Sequence, residues 1–553
     1  MARTLLLILA LSLSLGSHAQ GDEESAEYGA ETLYNLLVAE LAGQQQQFDI
    51  ALGNYLLEAH RTQDAGVAAR ATQIAQYIGA EQAALDAATL WSRLDPQSAL
   101  AQQAMSIEQL RAEHLADAML ALKKALELDP GLQVQYLTAY TSSLNKNSRS
   151  QLLERLGSLH NSHPDNASIS LTRAILLQQQ QDLSAADTEL NNLLKKHVKY
   201  YPAWMLKARL LTAQNKDDAA LDTVKSALKH FPKDKALGVL KARLQVKVKD
   251  IKGARKTFAQ LSEQFPDDGA IRLPLALTLL ELGEYPESRE QFQILLEQGD
   301  LPNEAHFYLA RLDLHDGQYD AALEHFLAMD GGRDYLSAQA QIVQLYVKKE
   351  AYGQAIAHLQ KQRELDSDNR QTYYLMEVEL LNRQKRYDDA ADLLNEALSD
   401  YQDNVDLRYS RAMVAEKLGN YPQLEQDLTF IINAEPENAT ALNALGYTLA
   451  DRAQRLEEAL KLIQRARELA PEDPAILDSL GWVYFRLGKL QEALNNLRQA
   501  YNLMPDPEIA AHLGEVLWQQ GLFKEARNVW DEALSKQPNN LIIKRTMERL
   551  IKP

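Results

Sequence analysis

Gly446, Gly481 and Gly514 recur at spacings of 35 and 33 residues. In step with them run Ala459, Ala493 and Ala526, then Ala466, Ala500 and Ala533, then Pro436, Pro471, Pro505 and Pro538. A beat of about 34 residues carried by such small side chains predicts a repeated helix–turn–helix unit. No feature constrains the fold more. A hairpin of that size cannot bury both of its apolar faces alone, so neighbours must stack and the core must run along the stack. The product is a long surface rather than a closed reaction chamber.

The unit from Pro474 to Pro507 shows how the letters do this. Leu477, Leu480, Gly481 and Tyr484 fall on one helical face. Gly488 breaks the pattern as a turn, and Leu490, Ala493, Leu494, Leu497 and Ala500 form a second stripe. Pro505 stops that helix, since proline cannot continue one. Gly481 and Ala493, with side chains no larger than methyl, let the two helix axes approach. The beat persists upstream with weaker lettering, and residues 131–165 fit it least, which predicts an irregular hairpin there. Pro286 and Pro422 follow Gly-x-Tyr turns and suit a first helical turn. Pro274 sits deeper in a helical stretch, where it is expected to kink the helix or delay its start.

These offsets resemble the tetratricopeptide repeat family, whose pattern is Trp, Leu-Gly, Tyr, then Gly/Ala, Phe, Ala and Pro. Gly481, Tyr484, Ala493, Ala500 and Pro505 fill those slots, as do Trp204, Ala208, Ala220, Ala227 and Pro232. Leu445-Gly446 and Gly514, Ala526, Trp530, Ala533 and Pro538 repeat the theme. The resemblance implies an all-α, right-handed superhelical solenoid of stacked hairpins, with the first helix of each hairpin lining a concave groove. The expected organisation is a cleaved signal over residues 1–19, helical repeats over 20–165 with an irregular last part, and a continuous solenoid over 166–553.

The amino end supports export. Arg3 precedes a stretch from Leu5 to Leu15 that is almost wholly apolar, and Ser17-His18-Ala19 supplies a small-x-small cleavage site. The stretch is short for a bilayer span, and no other run is long enough, so no transmembrane segment is expected after cleavage. The chain has no cysteine, hence no disulfide framework, no thiolate chemistry and no thiolate metal site. An exported chain without disulfides fits the bacterial periplasm. Tethering to the outer membrane would then come through partners.

Net charge is −18, which argues against nucleic acid. Its distribution is uneven. Residues 195–256 hold 17 Lys/Arg against 5 Asp/Glu, and residues 263–330 hold 15 Asp/Glu against 3 Lys/Arg. Charge runs are usually solvated faces; the sharper reading is a patch that steers an acidic protein, an anionic glycan or lipid headgroups. Within the basic run Arg209, Arg243 and Lys247 fall on the groove side.

No phosphate-binding loop, dinucleotide fingerprint, nucleophile elbow or His-Glu-x-x-His pair is present. His160 and His163 lack an evident third ligand, and His306, His315 and His512 are scattered singly. Acidic pairs such as Asp388-Asp389 and Glu457-Glu458 open second helices, where they offset the helix dipole. The reading is therefore no catalytic residue, no metal site and no cofactor; an enzyme would need loops from distant repeats to converge.

By register, the family's groove-facing slots in the last clear units are Asn443, Tyr447, Asp478, Trp482, Phe485, Arg486, Glu515 and Trp518. Aromatics with an arginine make hot-spot composition for a protein partner, although the two tryptophans equally suit a tapered core. Asp478 and Glu515 stand where a clamp for a chaperone carboxyl tail would need neutral or basic groups. The stretch Glu31–Glu40, with Phe48-Asp49-Ile50-Ala51-Leu52 and Gly79–Leu85, resembles exported repeat proteins of gammaproteobacteria over about residues 31–130. That group includes an outer-membrane lipoprotein adaptor of a carboxyl-terminal processing protease. The resemblance implies a non-enzymatic periplasmic scaffold that binds a PDZ-containing protease and its cell-wall hydrolase substrates. The missing lipid-attachment cysteine sets this chain apart. The alternative is a scaffold for envelope polysaccharide export or outer-membrane assembly.

Overall fold

The computed structural model describes residues 28–141 and 144–551. The expected export signal lies outside them. From Ala30 to Leu550 these residues form α-helices paired into hairpins, with no strand among the described residues. The reason is visible in one hairpin. Asp473 caps the helix Pro474–Arg486 by accepting from the N–H groups of Ala475 and Ile476, and Pro474 occupies a first-turn position where no donor is missed. The helix ends in a Schellman-type turn: Lys489 N–H donates to the Tyr484 carbonyl and Gly488 N–H to that of Phe485. Gly488 takes φ +77°, a left-handed conformation that glycine reaches without strain. The helix Leu490–Leu503 then packs back, burying Ala493, Leu494, Leu497 and Ala500.

The same turn recurs two residues ahead of second helices along the chain, with Gly283, Gly317, Gly419 and Gly521 at the left-handed position. Elsewhere Gln181, Asn215, Lys249, Glu350 and Lys385 adopt it without glycine's freedom. Inside the hairpins the small-residue rule is strict. A Cβ at Gly481 would stand 2.5 Å from Leu497 Cγ, and one at Gly446 would stand 2.6 Å from Ile463 Cγ1. At Gly514 it would run into the Trp530 indole. Close approach of the axes thus depends on these glycines.

Two expectations take a definite form. Residues 131–165 carry a short 3₁₀ helix, Gln135–Ala139, followed by a single helix, Lys146–Ser162. Asn166 ties the irregular stretch down by donating to the carbonyls of Pro130 and Leu132, both at 2.9 Å. Pro274 does not delay its helix, which already begins at Gly269 and runs to Glu281. The run Gln45–Gln47 is the connection between the helices Ala30–Gln44 and Phe48–Thr62.

The chain divides into two compact units, the first ending at Gln291 and the second beginning at Phe292. Each has its own core of stacked hairpins. In the first unit Leu171, Ala174, Ala186, Leu190 and Leu193 form one such layer. In the second, Leu445, Ala459, Ile463, Leu480 and Val483 form another.

Candidate functional site

The last hairpins of the second unit bring several of the expected groove residues together. Asp478, on the helix Pro474–Arg486, accepts from His512 Nδ1 at 2.9 Å; His512 lies on the next first helix, Pro507–Gln519. The Trp482 indole stacks on His512 with ring centroids 4.1 Å apart, and its Nε1 donates to Asp451 at 3.3 Å. Tyr447 donates to Glu508 at 2.9 Å. Glu515 accepts from Arg549 Nη1 at 2.7 Å. Asp478 and Trp482 are only 6% and 5% exposed. Both are thus packed against His512 and offer little surface. Tyr447, Phe485, Arg486 and Trp518 are half-buried and do present surface. Trp518 leans on Phe523 and Trp530, at centroid distances of 4.6 and 5.8 Å, apart from the Trp482 cluster.

This cluster has a defined charge. Burial opposes a charged His512, but the Asp478 carboxylate, helped by Glu508 and Glu515, outweighs it and holds the imidazole above its ordinary value. Burial, reinforced by Glu508 and Asp451, pushes the Tyr447 phenol far up, so it stays a donor. These buried polar groups are paired with one another, as burial requires.

The basic patch is split. Arg209 and Arg243 are exposed. Lys247 instead donates to Asp217 at 2.8 Å, across to the residue that opens the preceding second helix. Arg111 makes the equivalent pair with Glu81 at 3.5 Å.

A feature not anticipated from the sequence lies further along the second unit. The position four residues before a second helix is occupied by His315, Lys348, Arg383, Lys417, Arg452 and Arg486, and by Gln519 before the last, Phe523–Lys536. Four of these second helices open with Tyr319, Tyr352, Tyr387 and Tyr421, whereas two in the first unit open with Glu81 and Asp217. Lys348 Nζ therefore sits 3.5 Å from the Tyr319 ring centroid, and the Arg452 guanidinium 3.8 Å from that of Tyr421. Arg383 and Lys417 meet only acids of their own helix, Glu379 at 3.0 Å and Glu416 at 3.3 Å. The 34–35-residue spacing from Arg383 to Arg486 was there to be read; it was hidden because cations at a helix carboxyl end already suit the dipole. Between the helices Tyr335–Lys348 and Arg370–Arg383 opens a cavity of about 640 Å³, floored by aliphatic side chains and rimmed by Lys348, Arg383 and Glu379. His306 and His325, far apart in sequence, also come together, with their Nδ1 atoms 2.9 Å apart.

Known proteins share this architecture. Three family profiles, each described as tetratricopeptide repeat, match residues 437–506, then 171–235, 273–336 and 375–423, and then 211–271 and 484–550. The TPR repeat-containing protein PA4667 of Pseudomonas aeruginosa is 44% identical over 493 residues, spanning 89% of this chain and 83% of that protein. Human protein O-mannosyl-transferase TMTC1 is 24% identical over 30% of this chain and 19% of its own. Among solved structures, the Cut9–Hcn1 assembly is 15% identical over 95% of this chain and 97% of the matched chain, with a TM-score of 0.35. Yeast Tom70 is 14% identical over 94% and 95%, with a TM-score of 0.31. With a relative this similar over most of both chains, and repeat profiles along much of its length, the chain belongs to the tetratricopeptide repeat family.

Proposed function

We propose that this chain is an exported, non-enzymatic scaffold that binds other proteins. Its specific work in this reading is that of a periplasmic adaptor delivering cell-wall hydrolases to a PDZ-containing carboxyl-terminal processing protease. The observation that carries the scaffold reading is the face built by the first helices of the second unit. It offers half-buried aromatics, exposed cations and an open apolar cavity along one stack of helices. Such a face suits a polypeptide with a few anchor side chains. The buried Asp478–His512 pair is sealed under Trp482 rather than open to a substrate. The adaptor reading leans on the resemblance of residues 31–130 to exported repeat proteins. Its physical logic is effective concentration: a protease and a substrate held on one chain meet as if intramolecularly.

Capture from a periplasmic extract with the tagged mature chain tests both levels. Recovery of a PDZ-containing protease together with a cell-wall hydrolase supports the adaptor. Recovery of polysaccharide synthase or export subunits replaces it with the envelope-assembly reading. Recovery of no protein above a control column removes the scaffold reading itself.

A further inference from the structure

We propose that the first unit carries a binding site for a phosphate group, held by Lys225, Lys241 and Lys256 on the second-helix side of the stack. The three lysines come from three successive helices, Asp217–Leu228, Lys235–Lys247 and Ile251–Gln264. The site is separate from the trough and does not depend on the scaffold reading.

The position of Lys241 recurs at a spacing of 34 residues as Arg173, Lys207 and Lys241. In the two earlier hairpins a second helix satisfies the long cation there. Arg173 Nη2 donates to Glu189 of its own hairpin at 3.3 Å, and Lys207 Nζ donates to Asn191 of the preceding one. The position therefore looks out between two second helices. At Lys241 both partners are gone. Lys225 stands 34 residues after Asn191, an ammonium in place of an amide. Two periods take Glu189 to Thr257, whose hydroxyl already donates to Gln245 at 2.7 Å, and beside it in sequence is Lys256. Lys241 is half-buried and makes no hydrogen bond or ion pair among the described residues.

The charges around it do not cancel. Burial, with Lys225 and Lys256 acting on it, holds the Lys241 ammonium below its ordinary value. Asp250 is the acid that opposes them, and both of its oxygens are committed. One caps its helix by accepting from the Gly253 N–H at 3.0 Å, and the other accepts from Gln245 at 3.0 Å. Asp222 meets Lys225 at 3.2 Å in an exposed pair, which is worth little in water. Two more acids of the basic run are also taken, Asp217 by Lys247 and Asp234 by its helix cap and the Tyr201 hydroxyl. Like charges gathered without an acid of their own repel, and an anion reaching all three relieves that repulsion. A carboxylate brings one charge and two oxygens. A phosphate group brings about two charges and three acceptor oxygens, one for each helix. The net charge of −18 opposes a long polyanion far more than one small group. Free phosphate, a soluble phosphate ester and a lipid headgroup share this chemistry, and the test separates them.

The test uses the full mature chain at constant ionic strength. Inorganic phosphate, glucose 1-phosphate, acetate and a tetraglutamate peptide are titrated by calorimetry. Phosphatidylcholine vesicles with and without phosphatidic acid are co-sedimented with the protein. At least one phosphate probe is expected to bind with a Kd below about 1 mM, about tenfold or more tighter than either carboxylate probe. Lys241→Gln and, separately, Lys225→Gln are each expected to lose about tenfold or more, the order of one charge-assisted hydrogen bond. Lys195→Gln makes the same charge change at an exposed lysine elsewhere in the run and is expected to keep binding. Lys241 has no partner to lose, so its variant should unfold in urea no earlier than the unaltered chain. Binding of the soluble phosphates without the phosphatidic acid vesicles supports the site and makes its ligand soluble. Binding of those vesicles that is lost in Lys241→Gln supports the site and puts its phosphate on a lipid surface. Three results overturn the proposal: no phosphate probe bound at about 10 mM, a carboxylate probe bound as tightly, or a loss in Lys195→Gln equal to that in Lys241→Gln and Lys225→Gln. The last would reduce the site to the diffuse charge of the run.

Discussion

The two units build the same hairpin and use one of its positions differently. In the first, two cations near the end of a first helix pair with the acid that opens the preceding second helix: Lys247 with Asp217, and Arg111 with Glu81. In the second, four second helices open with tyrosine, and Lys348 and Arg452 lie over the rings of Tyr319 and Tyr421. A cation over an aromatic face keeps its charge available to a second partner; a cation against a carboxylate is largely neutralised. At Tyr319 and Tyr421 a ring takes the place that an acid holds at Glu81 and Asp217. The second unit keeps exposed pairs between hairpins as well, Lys349 with Asp320, Arg455 with Glu425 and Arg498 with Glu525, and adds buried ones at Asp427 and at Asp478–His512.

That division can be broken at three levels. The largest effect is expected at Asp427, fully buried between Arg408 Nη1 at 3.1 Å and Arg411 Nη2 at 2.7 Å. Asp427→Ala leaves two guanidinium groups without their shared acid and is expected to cost about 3–5 kcal/mol in urea unfolding. A loss below about 1 kcal/mol would mean that the buried charges are no more structural than the exposed pairs.

A smaller effect is expected from pH. His512 has a folded value raised above the ordinary 6.5, so its pairing with Asp478 stabilises the fold fully below that ordinary value. The contribution is lost as pH rises through the raised folded value. Thermal melts of the second unit's signal between about pH 6 and 9 should therefore show declining stability, and His512→Asn should flatten the decline. A decline of equal slope in the variant would assign it to other groups.

The smallest stability change, and the sharpest test of the contrast, comes from exchanging the opening residues. Asp217→Tyr should free Lys247, and Tyr319→Glu should bind Lys348, each altering stability by about 1 kcal/mol or less because both lysines are exposed. Their effects on association should differ. Tyr319→Glu is expected to lower the salt-sensitive part of partner capture, read as retention on a partner column at rising ionic strength. An unchanged salt profile would show that Lys348 carries no such role.

Much of the hairpin was legible in advance. Gly481 and Ala493 announced a close crossing, and Gly488 a turn, because each acts within one unit through local sterics. Lys247 was expected on the groove side, and its pairing with Asp217, thirty residues earlier, was not legible. Trp482 could be read as an anchor or as core with equal ease. His512, which covers one face of its ring, comes from the next hairpin.

The periodicity of small and apolar residues was enough to settle all-helical hairpins that must stack, since steric fit and burial of an apolar stripe are properties of adjacent turns. Which charges neutralise one another, which aromatics stay at the surface and where the helices part to leave a cavity were decided only by tertiary structure. Those outcomes depend on side chains one repeat apart meeting across the stack, and on distances of a few ångströms over which Coulomb and contact energies change most.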